Sequence, residues 1–189
     1  QDSTTRTTAL QKQVGDLLGT PEERAVFERI GTARQRYIVT RDRVMALNVR
    51  AMFLVAQAAT RKMLEAKHRK ERGGAIVNIT SQMGNVGAER RTVYCMTKHA
   101  VEGLTKALAV ELAPHNIRVN SVAPTFIDTP MTAPMFKSGE FTDWVMQRIP
   151  MGRLGTLEEV AAAVLFAASP AASLMTGTSL VIDGGWTAR

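Results

Sequence analysis

Three short apolar, β-branched runs constrain this chain more than any other feature: Ala75-Ile76-Val77-Asn78-Ile79, Ile117-Arg118-Val119-Asn120-Ser121-Val122, and Thr178 to Ile182. Each suits a buried strand, and helically spaced residues separate each from the next. Strands alternating with helices imply parallel pairing through right-handed crossovers, hence an α/β layered sheet. Between the first two runs a helix is expected from about Thr92 to Ala113, stopped by Pro114, with Asn116 turning the chain. Thr156-Leu157-Glu158-Glu159 is a capping box that opens an alanine-rich helix to about Ala168. Val44, Leu47, Ala51, Leu54, Val55, Ala58 and Ala59 predict a long amphipathic helix over about 41–67, before the first strand.

Residues 1–39 read as an atypical, helical N-terminal segment, and 40–189 as the α/β domain. Leu10, Val14, Leu17 and Leu18 share one helical spacing. Thr20, Pro21 and Glu23 then form a second start signal that leads into Ala25, Val26, Phe27 and Ile30, so two short helices are expected. Residues 125–155 carry Pro130, Pro134 and Pro150 with Met131, Met135, Phe136, Phe141, Trp144 and Met146. They read either as an apolar lid over a hydrophobic substrate or as packing.

At 189 residues the chain suits one folded domain. No stretch has the eighteen or so uninterrupted apolar residues of a membrane span. Cys95 is the single cysteine, so no intrachain disulfide forms, and Gln1 to Thr8 lack the apolar core of a secretory signal; a cytoplasmic location is expected. The formal charge of +7 is concentrated in Arg61 to Arg72, where six basic residues face two acidic ones. That cluster reads as a solvated helix end interacting with the helix dipole. Nucleic-acid binding would call for interleaved aromatic or base-reading side chains, and the segment has no aromatic residue. His68, His99 and His115 show no metal-ligand spacing, and no metal is expected.

Tyr94 and Lys98 stand four apart on a predicted helix and share one face. An ammonium beside a phenol favours the phenolate and brings its pKa toward the range of a general acid or base. Such a spacing also occurs as a plain surface pair. Ser81, thirteen residues before Tyr94, falls just past the first strand, at the sheet end where α/β proteins bind ligands. Asn48 shares a helical stripe with Val44, Ala51 and Val55, and reads either as part of this constellation or as a core asparagine bonded to local backbone. Arg90 and Arg91 read either as contacts for an anionic substrate or as exposed loop residues. Asp183 reads as a turn residue and Cys95 as a small packed side chain.

Ile79-Thr80-Ser81, Tyr94-Cys-Met-Thr-Lys98, Asn116-Ile-Arg-Val-Asn-Ser-Val-Ala-Pro124 and Ile182-Asp-Gly-Gly185 resemble, in that order, the short-chain dehydrogenase/reductase family. The likeness runs from about Thr40 to Trp186 and is to members such as 3-oxoacyl-carrier-protein reductases and sugar or polyol dehydrogenases. It implies a partial Rossmann-like, doubly wound parallel sheet and an NAD- or NADP-dependent oxidoreductase that interconverts a small carbonyl compound and its alcohol. Tyr94 would be the acid/base, and Ser81 would hydrogen-bond the reacting oxygen. Lys98 would lower the Tyr94 pKa and hold the nicotinamide ribose, while Asn48 would anchor a water linking Lys98 to solvent. Pro124, Ile127 and Thr129 match positions along the nicotinamide.

Two departures accompany the resemblance. Residues 1–47 contain no glycine-rich strand-turn-helix to cradle a pyrophosphate, nor the residue that selects NAD over NADP, nor the family's Asn-Asn-Ala-Gly segment. Thr125 stands where glycine is usual, so its side chain is expected to crowd the cofactor. The chain would thus keep counterparts of strands five to seven and leave one edge of the first strand open. The resemblance also implies a homo-oligomer, dimer or tetramer, built through the two long helices and the C-terminal strand region. The alternatives are a catalytically inactive, truncated remnant acting as an oligomerisation module, and a lyase or epimerase using the same Tyr/Lys pair.

Overall fold

A computed structural model of the protein describes residues 20–66 and 73–188. The helix expected around Leu10 to Leu18, and Lys67 to Arg72 of the basic cluster, lie outside the described residues. The chain divides into two compact units between Arg43 and Val44.

In the first unit, helix α1 (Pro21–Met45) opens with proline at its first position, where the missing N–H costs nothing. It is a 25-residue helix rather than a short one, and no break separates it from the helix expected to begin near Thr40. Between Ile30 and Thr40 the chain has neither a proline nor a glycine at a cap; Gly31 alone costs about 1 kcal/mol, too little to end a helix. Val26, Ile30, Tyr37 and Val39 on it are exposed.

The second unit begins with the end of α1 and a π turn, Ala46–Arg50, which runs into α2 (Ala51–Glu65). Ala66 is extended and ends that helix, and within its last turn Lys62 pairs with Glu65 at 2.9 Å. Then come β1 (Gly74–Ile79), α3 (Thr92–Leu112), β2 (Ile117–Pro124), α4 (Gly139–Met146), α5 (Leu157–Ala168) and β3 (Ser179–Ile182). Pro114 lies in a 3-10 turn after α3, and Asn116 takes a left-handed φ of +54° to enter β2. Gly73 enters β1 at φ +67°, where a Cβ would sit 2.9 Å from the Asn116 carbonyl oxygen. Only glycine fits there.

The sheet is parallel in the order β1-β2-β3, with Ile76 beside Val119 and Val122 beside Leu180. Its two faces carry different helices. Ile76, Ile117 and Val119 pack with Ala109 and Leu112 of α3 and with Met63 of α2. Arg118, pointing the other way, donates to the carbonyls of Ala167, Ala168, Ser169 and Met175 and so closes the C-terminal end of α5. The sheet is therefore doubly wound as expected. With sequential strands and connecting helices on opposite faces, however, the two crossovers have opposite hands, not both the expected right one. The long connection from β2 to β3 relaxes the constraint that governs short βαβ units.

Glu102 ties α3 to β2, to β3 and to the residue just beyond β1. Its buried carboxylate accepts hydrogen bonds from Thr80 at 2.5 Å, Ser121 at 2.7 Å and Ser179 at 3.0 Å. On α5 the expected capping box is present: Glu159 N donates to Thr156 Oγ1, and Thr156 N to Glu159 Oε2. Arg153 grips the same carboxylate at 2.6 and 3.0 Å, and its hydrogen bond is the largest influence holding Glu159 down to about 2. Among the described residues the outer edges of β1 and β3 have no partner strand. No described helix is long and apolar enough to cross a membrane.

Candidate active site

Ser81 follows the last strand residues of β1 in extended conformation (φ −165°) and caps the 3-10 turn Gln82–Gly84 by accepting from Met83 N at 3.2 Å. Its hydroxyl donates to Gln82 Oε1 at 2.7 Å, and Gln82 Nε2 donates to Thr125 Oγ1 at 3.3 Å. Gln82 is 1 % exposed, so this relay fixes the Ser81 rotor from below. Sequence reasoning did not single out Gln82; its one signal is that it adjoins Ser81 in a loop that must be buried to reach the sheet end.

Tyr94 and Lys98 lie one turn apart near the start of α3, with the Lys98 ammonium 5.6 Å from the Tyr94 ring centroid. Burial holds the Tyr94 phenol above its ordinary value; hydrogen bonding with Ser81 and the positive charge of Arg91 work against that. The lowering expected from Lys98 is thus not the governing effect. Its Nζ donates instead to the Ile79 carbonyl at 3.3 Å, beside the ring rather than at the phenolic oxygen. Lys98 is itself pushed below its ordinary value by burial, an effect opposed by the negative charge of Glu102 one turn on.

Asn48 sits in the π turn, and its Nδ2 donates to Thr97 Oγ1 at 3.2 Å. Thr97 Oγ1 donates in turn to the Tyr94 carbonyl at 2.8 Å. The asparagine is therefore tied to α3 by a side chain, not to its own backbone as the core reading would have it. A π turn places it there by widening one turn of a long helix, a device common at functional sites.

A cavity of about 350 Å³ opens at the C-terminal ends of the strands and brings Ser81, Tyr94, Pro124, Ile127 and Thr129 onto one surface, together with Arg91. Lys98 and Asn48 are not among its lining residues. Pro124 ends β2, and Ile127 is held by a bridge to Gly155, where an added Cβ would meet Ile127 Cδ1 at 2.5 Å. The Thr129 hydroxyl lies 3.0 Å from that of Thr132. Thr125 lines the cavity, but its hydroxyl is engaged by Gln82, which gives the side chain a structural use.

The lid and packing readings of residues 131–146 divide the residues between them. Met131 and Met135 line the cavity, while Phe136, Phe141 and Trp144 pack with Phe126 and Trp186 at centroid distances of 5.6–5.9 Å. Asp183 does more than occupy a turn. Burial works to raise its carboxyl, but hydrogen bonds from Thr187 and the Gly185 amide together hold it below its ordinary value. Cys95 is buried and free. Among the described residues no three of His, Cys, Asp and Glu stand together as a metal site.

Ser81, Tyr94 and Thr129 give the cavity hydroxyl groups and Pro124 and Ile127 give it apolar faces, a lining that fits the nicotinamide end of a dinucleotide. No glycine-rich turn for its pyrophosphate occurs among the described residues.

A family model described as enoyl-(acyl carrier protein) reductase matches residues 9–187. An NAD-dependent glycerol dehydrogenase of Listeria innocua is 38% identical over 174 residues, covering 92% of this chain and 65% of that protein. A galactitol 2-dehydrogenase of Rhizobium johnstonii is 44% identical over 147 residues, covering 77% and 55%. Among solved structures, a gluconate 5-dehydrogenase from Burkholderia cenocepacia in complex with NADP and tartrate superposes with a TM-score of 0.74 at 33% identity, covering 79% of this chain and 57% of that one. The chain thus spans just over half to about two thirds of the length of these relatives.

Proposed function

This chain belongs to the short-chain dehydrogenase/reductase family, and from that premise we propose that it interconverts a carbonyl and a secondary alcohol on a small molecule, with NAD or NADP as hydride carrier. The observation that carries the reading is the convergence of Ser81 and Tyr94 on one cavity at the strand ends, with Lys98 one helical turn behind. When bound, the dinucleotide supplies or accepts the hydride. Pro124, Ile127, Thr129 and Lys98 are the residues that would hold its nicotinamide riboside end.

The chain's own residues handle the oxygen and the proton. Ser81, positioned beside Gln82, turns its hydroxyl from Gln82 Oε1 to donate to the substrate oxygen and stabilises negative charge as it develops. Tyr94 gives its proton to that oxygen in reduction and takes one from the alcohol in oxidation. With the phenol held above its ordinary value, Tyr94 stays protonated through neutral pH, which suits the acid role; oxidation needs the phenolate and gains as pH rises. Asn48, through Thr97, steadies the turn of α3 that carries Tyr94, and the water it would anchor connects Lys98 to solvent.

A cytoplasmic location and self-association as a dimer or tetramer accompany this reading. The support for self-association is apolar surface left on the helices: Phe53, Leu54 and Val55 of α2 and Met96 and Val110 of α3 are exposed. The same surface is what favours the second reading, an oligomerisation module without turnover.

Replacing Tyr94 by Phe tests the enzymatic reading. Turnover of cofactor absorbance is expected to vanish while the circular dichroism spectrum and NADH or NADPH binding by fluorescence stay as in the parent chain. Retained turnover removes Tyr94 from its role; absence of saturable cofactor binding in the parent chain favours the module.

A further inference from the structure

Arg91 is the charged residue of the cavity that holds Ser81 and Tyr94, and it also lines a second, adjoining cavity of about 430 Å³ with Arg90, Ser138 and Trp144. The two spaces therefore share Arg91. Neither arginine has an ion pair among the described residues, where the pairs are Arg41–Asp42, Lys62–Glu65 and Arg153–Glu159. Glu89 and Glu140 also line the second cavity and leave both guanidinium groups unclaimed. Arg90 is held at φ +57°, a conformation costly for a long side chain and one that clusters at functional sites. Arg91 acts electrostatically on the Tyr94 phenol, so its charge lies close to the reacting centre.

We propose that Arg91, assisted by Arg90, is an anion subsite, and that the substrate is a keto or hydroxy acid whose carboxylate rests there while its carbonyl or alcohol oxygen meets Ser81 and Tyr94. This rests on the oxidoreductase reading and names its substrate class. A guanidinium fork matches a carboxylate bidentately. The remaining lining, which includes Met83, Phe126, Ile127, Met131 and Met135, suits an aliphatic chain between the two polar ends. Glu89 and Glu140 oppose the two arginines in charge, so the subsite favours a monoanion over a dianion.

Levulinate and its neutral methyl ester share a skeleton and differ by the charge, so they are suitable probes. Their binding is followed on the whole chain by calorimetry and by intrinsic tryptophan fluorescence, with and without NADH or NADPH, and turnover is recorded separately. Levulinate should bind about ten- to hundredfold more tightly than the ester, a range set by one charge-assisted contact. Arg91→Gln should abolish that preference while leaving ester and NADPH binding unchanged, Arg91→Lys should retain part of it, and Arg90→Gln should weaken it. Equal binding of the two probes, no binding of either, or a preference that survives Arg91→Gln overturns the subsite. Tighter binding of inorganic phosphate than of levulinate overturns the assignment to carboxylate. A preference for levulinate in a chain that turns over neither probe with NADH or with NADPH supports the subsite and counts against the oxidoreductase reading, so the two can fail separately.

Discussion

Removing the Glu102 carboxylate should cost far more than an ordinary substitution on a helix. It receives three hydroxyl donors, one from just beyond β1 and one each from β2 and β3. In Glu102→Ala, Thr80 keeps a long alternative at 3.4 Å to the Val122 carbonyl, whereas Ser121, fully buried, and Ser179 lose the acceptor they have. The orphaned, buried Ser121 hydroxyl costs about 1–3 kcal/mol, and the half-buried Ser179, which water can reach, costs less. Relief of the buried carboxylate's desolvation offsets part of this, which leaves a net loss of about 2 kcal/mol. With an m-value of about 2 kcal/mol/M, the urea midpoint should fall by about 1 M. Glu102→Gln keeps an acceptor for the hydroxyls and should lose about 1 kcal/mol. The assay is equilibrium urea unfolding followed by tryptophan fluorescence and far-UV circular dichroism in parallel. A loss below about 1 kcal/mol for the alanine variant would refute the claim that this carboxylate fastens α3 to the strands.

Two further outcomes follow from charge placement. Arg91 pulls the Tyr94 phenol downward, so Arg91→Gln should move the rise of oxidation rate to higher pH; a pH–rate profile that stays put, or moves to lower pH, contradicts the coupling. Glu159 is held at about 2, below its ordinary carboxylate value, so the stability it contributes is present above about pH 4.5 and is lost as pH falls toward 2. Acid titration of ellipticity should therefore change in Glu159→Gln within that window, and Thr156→Ala should lose about 1 kcal/mol at neutral pH.

Local signals made much of this molecule legible beforehand. The three β-branched runs, Pro114, the Asn116 turn and the Thr156–Glu159 box each act within a few residues of themselves, and each element forms where they place it. The convergence of Ser81 with Tyr94 followed from a sheet end and a helix start, both also local. What escaped depends on distant partners. Glu102 looks like any helix glutamate until distant strands bring hydroxyls to it, and the hydrogen bond of Lys98 to the Ile79 carbonyl likewise depends on where the end of β1 lies. The continuity of α1 has a different reason: no proline stands between Ile30 and Thr40, and Arg34, Gln35 and Arg36 are good helix formers.

The widened turn at Ala46–Arg50 holds one residue more than an ordinary helix would need. Deleting Val49 or Arg50 would let the ladder of hydrogen bonds run on regularly, and by that measure alone the helix would improve. It would also swing Asn48 by about 100° around the axis relative to α2, one residue's share of a 3.6-residue turn, and unhook it from Thr97. A shorter, tidier protein would in this way forfeit its grip on the tyrosine, which makes the irregularity a spacer whose length is the thing preserved.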